Sequence, residues 1–154
     1  LTEIMEDGGA THWSMPRVVS RREILDSLTA HYGRISPVVE ESSAPADRYT
    51  LPDGLPFGII SSTTGPFCES CDPSRLTADG LWYLCLYAAH GTDLRRPLRA
   101  GASAEHLAQL IRATWEVRSD RGAEERLASR DRSPLIPVDR LRRDPHLEMH
   151  TRGG

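Results

Sequence analysis

Apolar residues recur at three- and four-residue steps in Ile24, Leu25, Leu28 and Tyr32, the period of one helical face. Ser20 precedes them and Glu23 stands three residues on, the two halves of a capping box. Gly33 ends the run, as glycine does past a helix terminus. The same period returns in Leu107, Leu110, Ile111, Thr114 and Trp115, behind Ser103 as N-cap. Between these helices the pattern shifts to alternation. Tyr49 and Leu51 lead into Asp53-Gly54, and Phe57, Ile59 and Ile60 lead out, which predicts a β-hairpin. Residues 75–78 and 81–87 predict a second hairpin, with Asp79-Gly80 as a two-residue turn. Leu1 to Met5 reads as a short strand followed by a loop at Asp7-Gly8-Gly9, with no parallel partner and crossover helix evident for it. Residues 42–45 form a small-residue linker. From Arg118 onward charge dominates, interrupted only by Leu135-Ile136-Pro137, and the end is polar and glycine-terminated. The mixture of helices and hairpins is that of an α+β fold.

Composition narrows the function. Apolar residues make up 38% and charged residues 27% of the 154, enough for one modest core and against global disorder. The net charge of −3, from 19 basic and 22 acidic residues, argues against a nucleic-acid partner. Every basic residue is arginine, for which codon bias is a plainer account than anion recognition. No stretch approaches the roughly 20 apolar residues of a membrane span, so no membrane partner is expected. Glu3, Glu6 and Asp7 give the N-terminus the wrong charge for a signal peptide. An odd cysteine count then points to reduced thiols in the cytoplasm rather than a disulfide framework.

Those thiols carry the chemistry. Cys68, Cys71 and Cys85 follow the spacing C-x2-C-x13-C. The x2 step lets two thiolates grip one metal from a turn, and the Asp79-Gly80 hairpin folds Cys85, expected in its return strand, back toward them. Thiolate sites select zinc or iron–sulfur clusters. Zinc needs a fourth protein ligand to close its site, and His90 is the candidate. An iron–sulfur cluster on three thiolates keeps one iron open. A C-x-x-C redox pair with Cys85 buried in the core is a third reading, and spacing alone leaves zinc and cluster both open.

Several strings together resemble one family. They are Glu3-Ile4-Met5 with Gly8-Gly9-Ala10-Thr11-His12-Trp13; Ser43-Ala44-Pro45-Ala46-Asp47-Arg48-Tyr49; Phe67-Cys68 with Cys71; and Ser74-Arg75-Leu76-Thr77-Ala78-Asp79-Gly80. Cys85-Leu86-Tyr87, Leu98-Arg99-Ala100-Gly101-Ala102-Ser103 and the terminal Gly153-Gly154 follow in order. The chain resembles the C-terminal half of the radical-SAM GTP 3′,8-cyclases of molybdenum cofactor biosynthesis, over nearly its whole length.

The resemblance implies a cluster-binding domain of two hairpins with flanking helices, plus the trailing strand of an incomplete (β/α) radical-SAM barrel. It divides the chain into residues 1–19 as barrel edge, 20–128 as the C-terminal domain and 129–154 as a tail. It implies a lyase that converts GTP to (8S)-3′,8-cyclo-7,8-dihydroguanosine 5′-triphosphate. A four-iron four-sulfur cluster on Cys68, Cys71 and Cys85 would hold the guanine end of GTP at its open iron. Met5 would lie along S-adenosylmethionine, though a strand-end core residue is its plainer role. Arg75 would grip the GTP phosphates; its plainer role is a surface arginine paired with Asp72 or Asp79. Gly153 and Gly154 would thread into the active site, where only side-chain-free residues fit. A full-length enzyme of this kind is a homodimer, and its product passes to cyclic pyranopterin monophosphate synthase.

Two departures follow. The first of the family's two phosphate-gripping arginines is Pro73 here, which removes a charge-assisted contact worth roughly 1.5–3 kcal/mol. The C-x3-C-x2-C loop that holds the radical-generating cluster and cleaves S-adenosylmethionine is not among these residues. The chain is therefore expected to be a fragment or a truncated or split homologue, inactive without a complementary barrel chain. Two smaller features remain. His146 and His150, at i and i+4, would suit a metal if helical, or else are solvated tail residues. The terminal Arg-Gly-Gly also suits a ubiquitin-like carrier, a reading that leaves the cysteines unexplained.

Overall fold

Ser20 starts the first helix as predicted. In a computed structural model that describes residues 1–5, 13–40, 43–131 and 135–152, helix α1 spans Arg21–Tyr32. The Ser20 amide donates to the Glu23 carboxylate at 2.8 Å, and the Glu23 amide donates back to Ser20 Oγ at 3.4 Å. Gly33, at φ +91°, closes the far end with its N–H on the Thr29 carbonyl, a left-handed position that glycine adopts without a Cβ penalty.

The first predicted hairpin forms β2 (Asp47–Thr50) and β3 (Pro56–Ile59), joined on the outer side by β1 (Ser36–Val38) in an antiparallel sheet of order β1-β2-β3. Tyr49 faces Phe57 across the register, their rings stacked 5.5 Å apart. The second hairpin forms β4 (Arg75–Leu76) and β5 (Leu81–Tyr83), with β6 (Thr92–Asp93) added beyond β5. Cys85 therefore lies two residues past the return strand rather than within it. The turn is also one residue longer than predicted. Thr77 N–H bonds to Leu81 O and Gly80 N–H to Thr77 O, which encloses Ala78, Asp79 and Gly80. Gly80 sits at φ +90°, the left-handed third residue that lets a type I turn rejoin twisted strands. Leu51 and Leu55 enclose Pro52, Asp53 and Gly54 in the same way, with Gly54 at φ +89°.

The N-terminal segment has the partner that the pattern did not reveal. Thr2 forms a parallel bridge with Ile60, just beyond β3. Glu3 then anchors three segments at once. Its carboxylate, 2% exposed, accepts from the Arg21 amide at 2.9 Å, the Thr63 amide at 3.0 Å, the Thr64 amide at 2.7 Å and the Thr64 hydroxyl at 2.6 Å. Burial pushes its pKa up, but the hydrogen bonds from Thr64, Arg21 and Thr63 together outweigh it and hold the carboxyl below its usual range.

The remaining helices are α2 (Arg95–Arg99), α3 (Ala104–Glu116), α4 (Gly122–Ala128) and α5 (Val138–Arg143). Ser103 caps α3 by accepting from the His106 amide, as predicted. Helix α3 meets the second sheet through Trp115, whose ring stacks on Trp82 of β5 at 6.2 Å. The segment after residue 134 is less polar in space than in sequence. Leu141, Leu147 and Met149 are buried with Ile59, Trp82 and Tyr83. His146 and His150 fall in separate 3-10 turns, Pro145–Leu147 and Met149–Arg152, so they do not share a helix. The fold is α+β with two small antiparallel sheets, and no helix among the described residues is long and apolar enough to cross a membrane.

Candidate metal centre

The loop from β3 to β4 carries Cys68 and Cys71. The Cys71 amide donates to the Cys68 carbonyl at 3.4 Å and the Ser70 amide to Phe67 O at 3.2 Å, so the x2 spacing becomes a single turn with two thiols. Both line a cleft of about 380 Å³ with Glu69, Arg118, Ser119, Asp120 and Arg121. Cys85 approaches Cys68 closely enough for the two thiols to interact. Burial pushes its thiol pKa up, offset in part by the amides of Tyr87 and Gly122, with Asp120 and Cys68 raising it further. All three cysteines are free and half-buried.

Gly122 makes this approach possible. A Cβ there would stand 2.5 Å from the Tyr87 Cβ, closer than atoms pack, and a tight 3.1 Å from the Cys85 sulfur. Arg118, just past α3, donates from Nη1 to the Cys71 carbonyl and from Nη2 to the Cys71 sulfur at 3.5 Å. Its guanidinium lies 4.8 Å from the Trp115 ring centroid. Sequence reading missed Arg118 because it opens a charge-dense stretch in which no single arginine stands out.

The donor set has the ligand chemistry of an iron–sulfur cluster. It consists of three thiols on two loops, N–H groups on two of the sulfurs, and no competing disulfide. It does not suit zinc. Among the described residues no three histidine, cysteine, aspartate or glutamate side chains, the three cysteines included, are grouped to hold a metal ion, and His90, the fourth ligand zinc would need, is exposed. The zinc module on Cys68, Cys71, Cys85 and His90 is thereby not supported, for want of a closed tetrahedral set.

The other predicted site residues are spread out. Arg75 is half-buried in β4 opposite Tyr83, and its Nε is buried with no hydrogen-bond partner among the described residues. Its expected partners are otherwise engaged: Asp72 accepts from the Ser43 hydroxyl at 2.7 Å, and Asp79 accepts from the Thr77 hydroxyl at 2.6 Å and faces His146 Nε2 at 3.2 Å. The Thr77 hydrogen bond and the nearby His146 hold Asp79 below its usual pKa range. Met5 is half-buried at the end of the N-terminal segment and does not line the cysteine cleft. Gly153 and Gly154 lie outside the described residues.

Residues 1–124 match the family Molybdenum Cofactor Synthesis C. The chain is 57% identical over 152 residues to GTP 3′,8-cyclase 1 of Mycobacterium tuberculosis, covering 99% of this chain and 42% of that protein. It is 36% identical to the GTP 3′,8-cyclase of Synechococcus sp. CC9902, covering 100% of this chain and 42% of that one. The GTP 3′,8-cyclase of Staphylococcus aureus MRSA252 matches at 33% over 82% of this chain and 38% of its own length. The chain thus spans about two fifths of the length of the curated relatives it matches. With this match over most of its length, the chain belongs to the Molybdenum Cofactor Synthesis C family.

Proposed function

We propose that these residues are the GTP-binding, iron–sulfur portion of a GTP 3′,8-cyclase, a cytoplasmic radical-SAM lyase of molybdenum cofactor biosynthesis. The observation that supports the reading is the placing of Cys68 and Cys71 on one cleft, with Cys85 near enough to interact with Cys68, in a chain 57% identical to a protein of that name. Cys68, Cys71 and Cys85 would hold a four-iron four-sulfur cluster. When bound, that cluster supplies an iron with an open position for the guanine end of GTP. Arg75 would take the phosphates with a guanidinium whose local carboxylates are already committed.

In this reading residues 1–19 are the trailing edge of a (β/α) barrel, 20–128 the cluster domain and 129–154 a tail that delivers Gly153 and Gly154 to the substrate. Met5 would lie along S-adenosylmethionine at the barrel edge. A barrel bearing the C-x3-C-x2-C loop would supply the radical, so these residues alone would bind GTP without transforming it. Orientation of the nucleotide is their contribution to the reaction. The assembled enzyme would be a homodimer handing its product to cyclic pyranopterin monophosphate synthase.

Anaerobic reconstitution tests this. The chain is expected to turn brown and hold about four iron and four sulfide, and Cys71→Ser to lose most of both. Colourless protein with one equivalent of zinc would overturn the reading. In the reconstituted chain, R75A is expected to weaken GTP binding by about tenfold or more, the scale of a charge-assisted contact.

A further inference from the structure

Cys71 sits where regular structure has run out. Residues 71–74 join the cysteine turn to β4 without ladder partners of their own, so something outside the loop must fix the Cys71 side chain. Arg118 is in place to do so. One planar guanidinium reaches both the backbone carbonyl and the sulfur of the same residue, and two donors from a rigid fork set an orientation that one flexible donor cannot. The fork is itself held. Its face lies on Trp115, Trp115 stacks on Trp82, and Trp82 Nε1 donates to Ser74 Oγ at 2.9 Å. Ser74 is three residues beyond Cys71 in the same loop, so the chain of contacts closes on the segment it orders. The neighbouring Arg121 instead gives its Nε to Glu124.

We infer that Arg118 is the positioning residue of the metal centre: it clamps the Cys71 turn and places a permanent positive charge and an N–H donor on the Cys71 sulfur. The inference rests on the cluster reading above. A guanidinium suits the task because it keeps its charge and has no lone pair with which to compete for iron. Hydrogen bonds and positive charge at the sulfurs of a cluster favour its reduced, more negative form and raise its reduction potential.

Two measurements on the 154-residue chain separate the possibilities. In metal-free protein, R118M is expected to speed amide hydrogen exchange across residues 68–74 on the order of tenfold, the factor for one lost charge-assisted hydrogen bond, while exchange in α1 stays as in wild type. In cluster-loaded protein, R118M is expected to lower the reduction potential, followed by redox titration with paramagnetic resonance detection. R118K keeps the charge and loses the fork, so it should restore most of the potential but not the protection. Unchanged exchange in R118M overturns the clamp, and an unchanged potential overturns the tuning. If the wild-type chain takes up no cluster, the reading beneath falls and the tuning with it, whereas the exchange result still decides the clamp.

Discussion

Replacing Glu3 by glutamine changes one atom at the junction of three segments. In the folded chain one carboxylate oxygen accepts from the Arg21 amide and the Thr64 hydroxyl, and the other from the Thr63 and Thr64 amides. Glutamine keeps one acceptor oxygen and turns the other into a donor. With its oxygen left on Thr63 and Thr64, the new NH2 group faces the Arg21 N–H. The Thr64 hydroxyl can rotate to accept, but the amide cannot. One buried donor is then unsatisfied, costing about 1–3 kcal/mol, and the remaining bonds lose their charge assistance. The expected loss is about 2–4 kcal/mol, read as a lower urea midpoint at unchanged slope. The pH dependence supplies an independent check. The folded-state pKa of Glu3 lies below the ordinary glutamate value of 4.5, so its contribution is complete above that value and is lost as pH falls through the folded pKa. The difference between wild type and E3Q should therefore be full near neutrality and shrink below about pH 4.5. A variant within 0.5 kcal/mol of wild type at pH 7, roughly the effect of an ordinary surface change, or a gap that widens in acid, would refute the account.

Three further substitutions test other parts of the fold. S20A removes the hydroxyl half of the capping box and is expected to cost about 1 kcal/mol, a fall of roughly 2–4 °C in melting temperature. G80A meets two obstacles, a positive φ of +90° and a Cβ placed 2.7 Å from that of Arg95; thermal melts should show a loss well above that of S20A. G122A should push Tyr87 and the Cys85 sulfur away from residue 122, with an overpacking cost of about 1–3 kcal/mol and a lower iron content after reconstitution; full occupancy would show that the close approach is not needed.

Local chemistry made much of this fold readable. The capping box at Ser20, the cap at Ser103 and the two glycine turns each announce themselves within four residues, and each forms, the Gly80 turn one residue longer than predicted. The third strands do not announce themselves. β1 contains Pro37 and spans three residues, and β6 spans two, too short for a period to show. The parallel bridge from Thr2 to Ile60 joins residues far apart in sequence, which alternation within either segment cannot reveal. The C-terminal segment hides its apolar contribution for a related reason. Leu141, Leu147 and Met149 follow no single period because they sit on α5 and two successive 3-10 turns. At the site, spacing identified the cysteines, and family resemblance supplied the cluster. Arg118 was legible to neither, since its importance lies in two contacts with Cys71, 47 residues away.

The stacked indoles of Trp82 and Trp115 have a use beyond packing. Their planes are 18° apart at 6.2 Å, close enough for their near-ultraviolet transitions to couple. One ring belongs to the second hairpin and the other to α3, so the coupling exists only while the two are docked. A circular dichroism band in the aromatic region should therefore serve as an intrinsic gauge of that junction. Its decay during unfolding, compared with the far-ultraviolet signal of the helices, would show whether the support behind Cys71 gives way with the rest of the domain or before it.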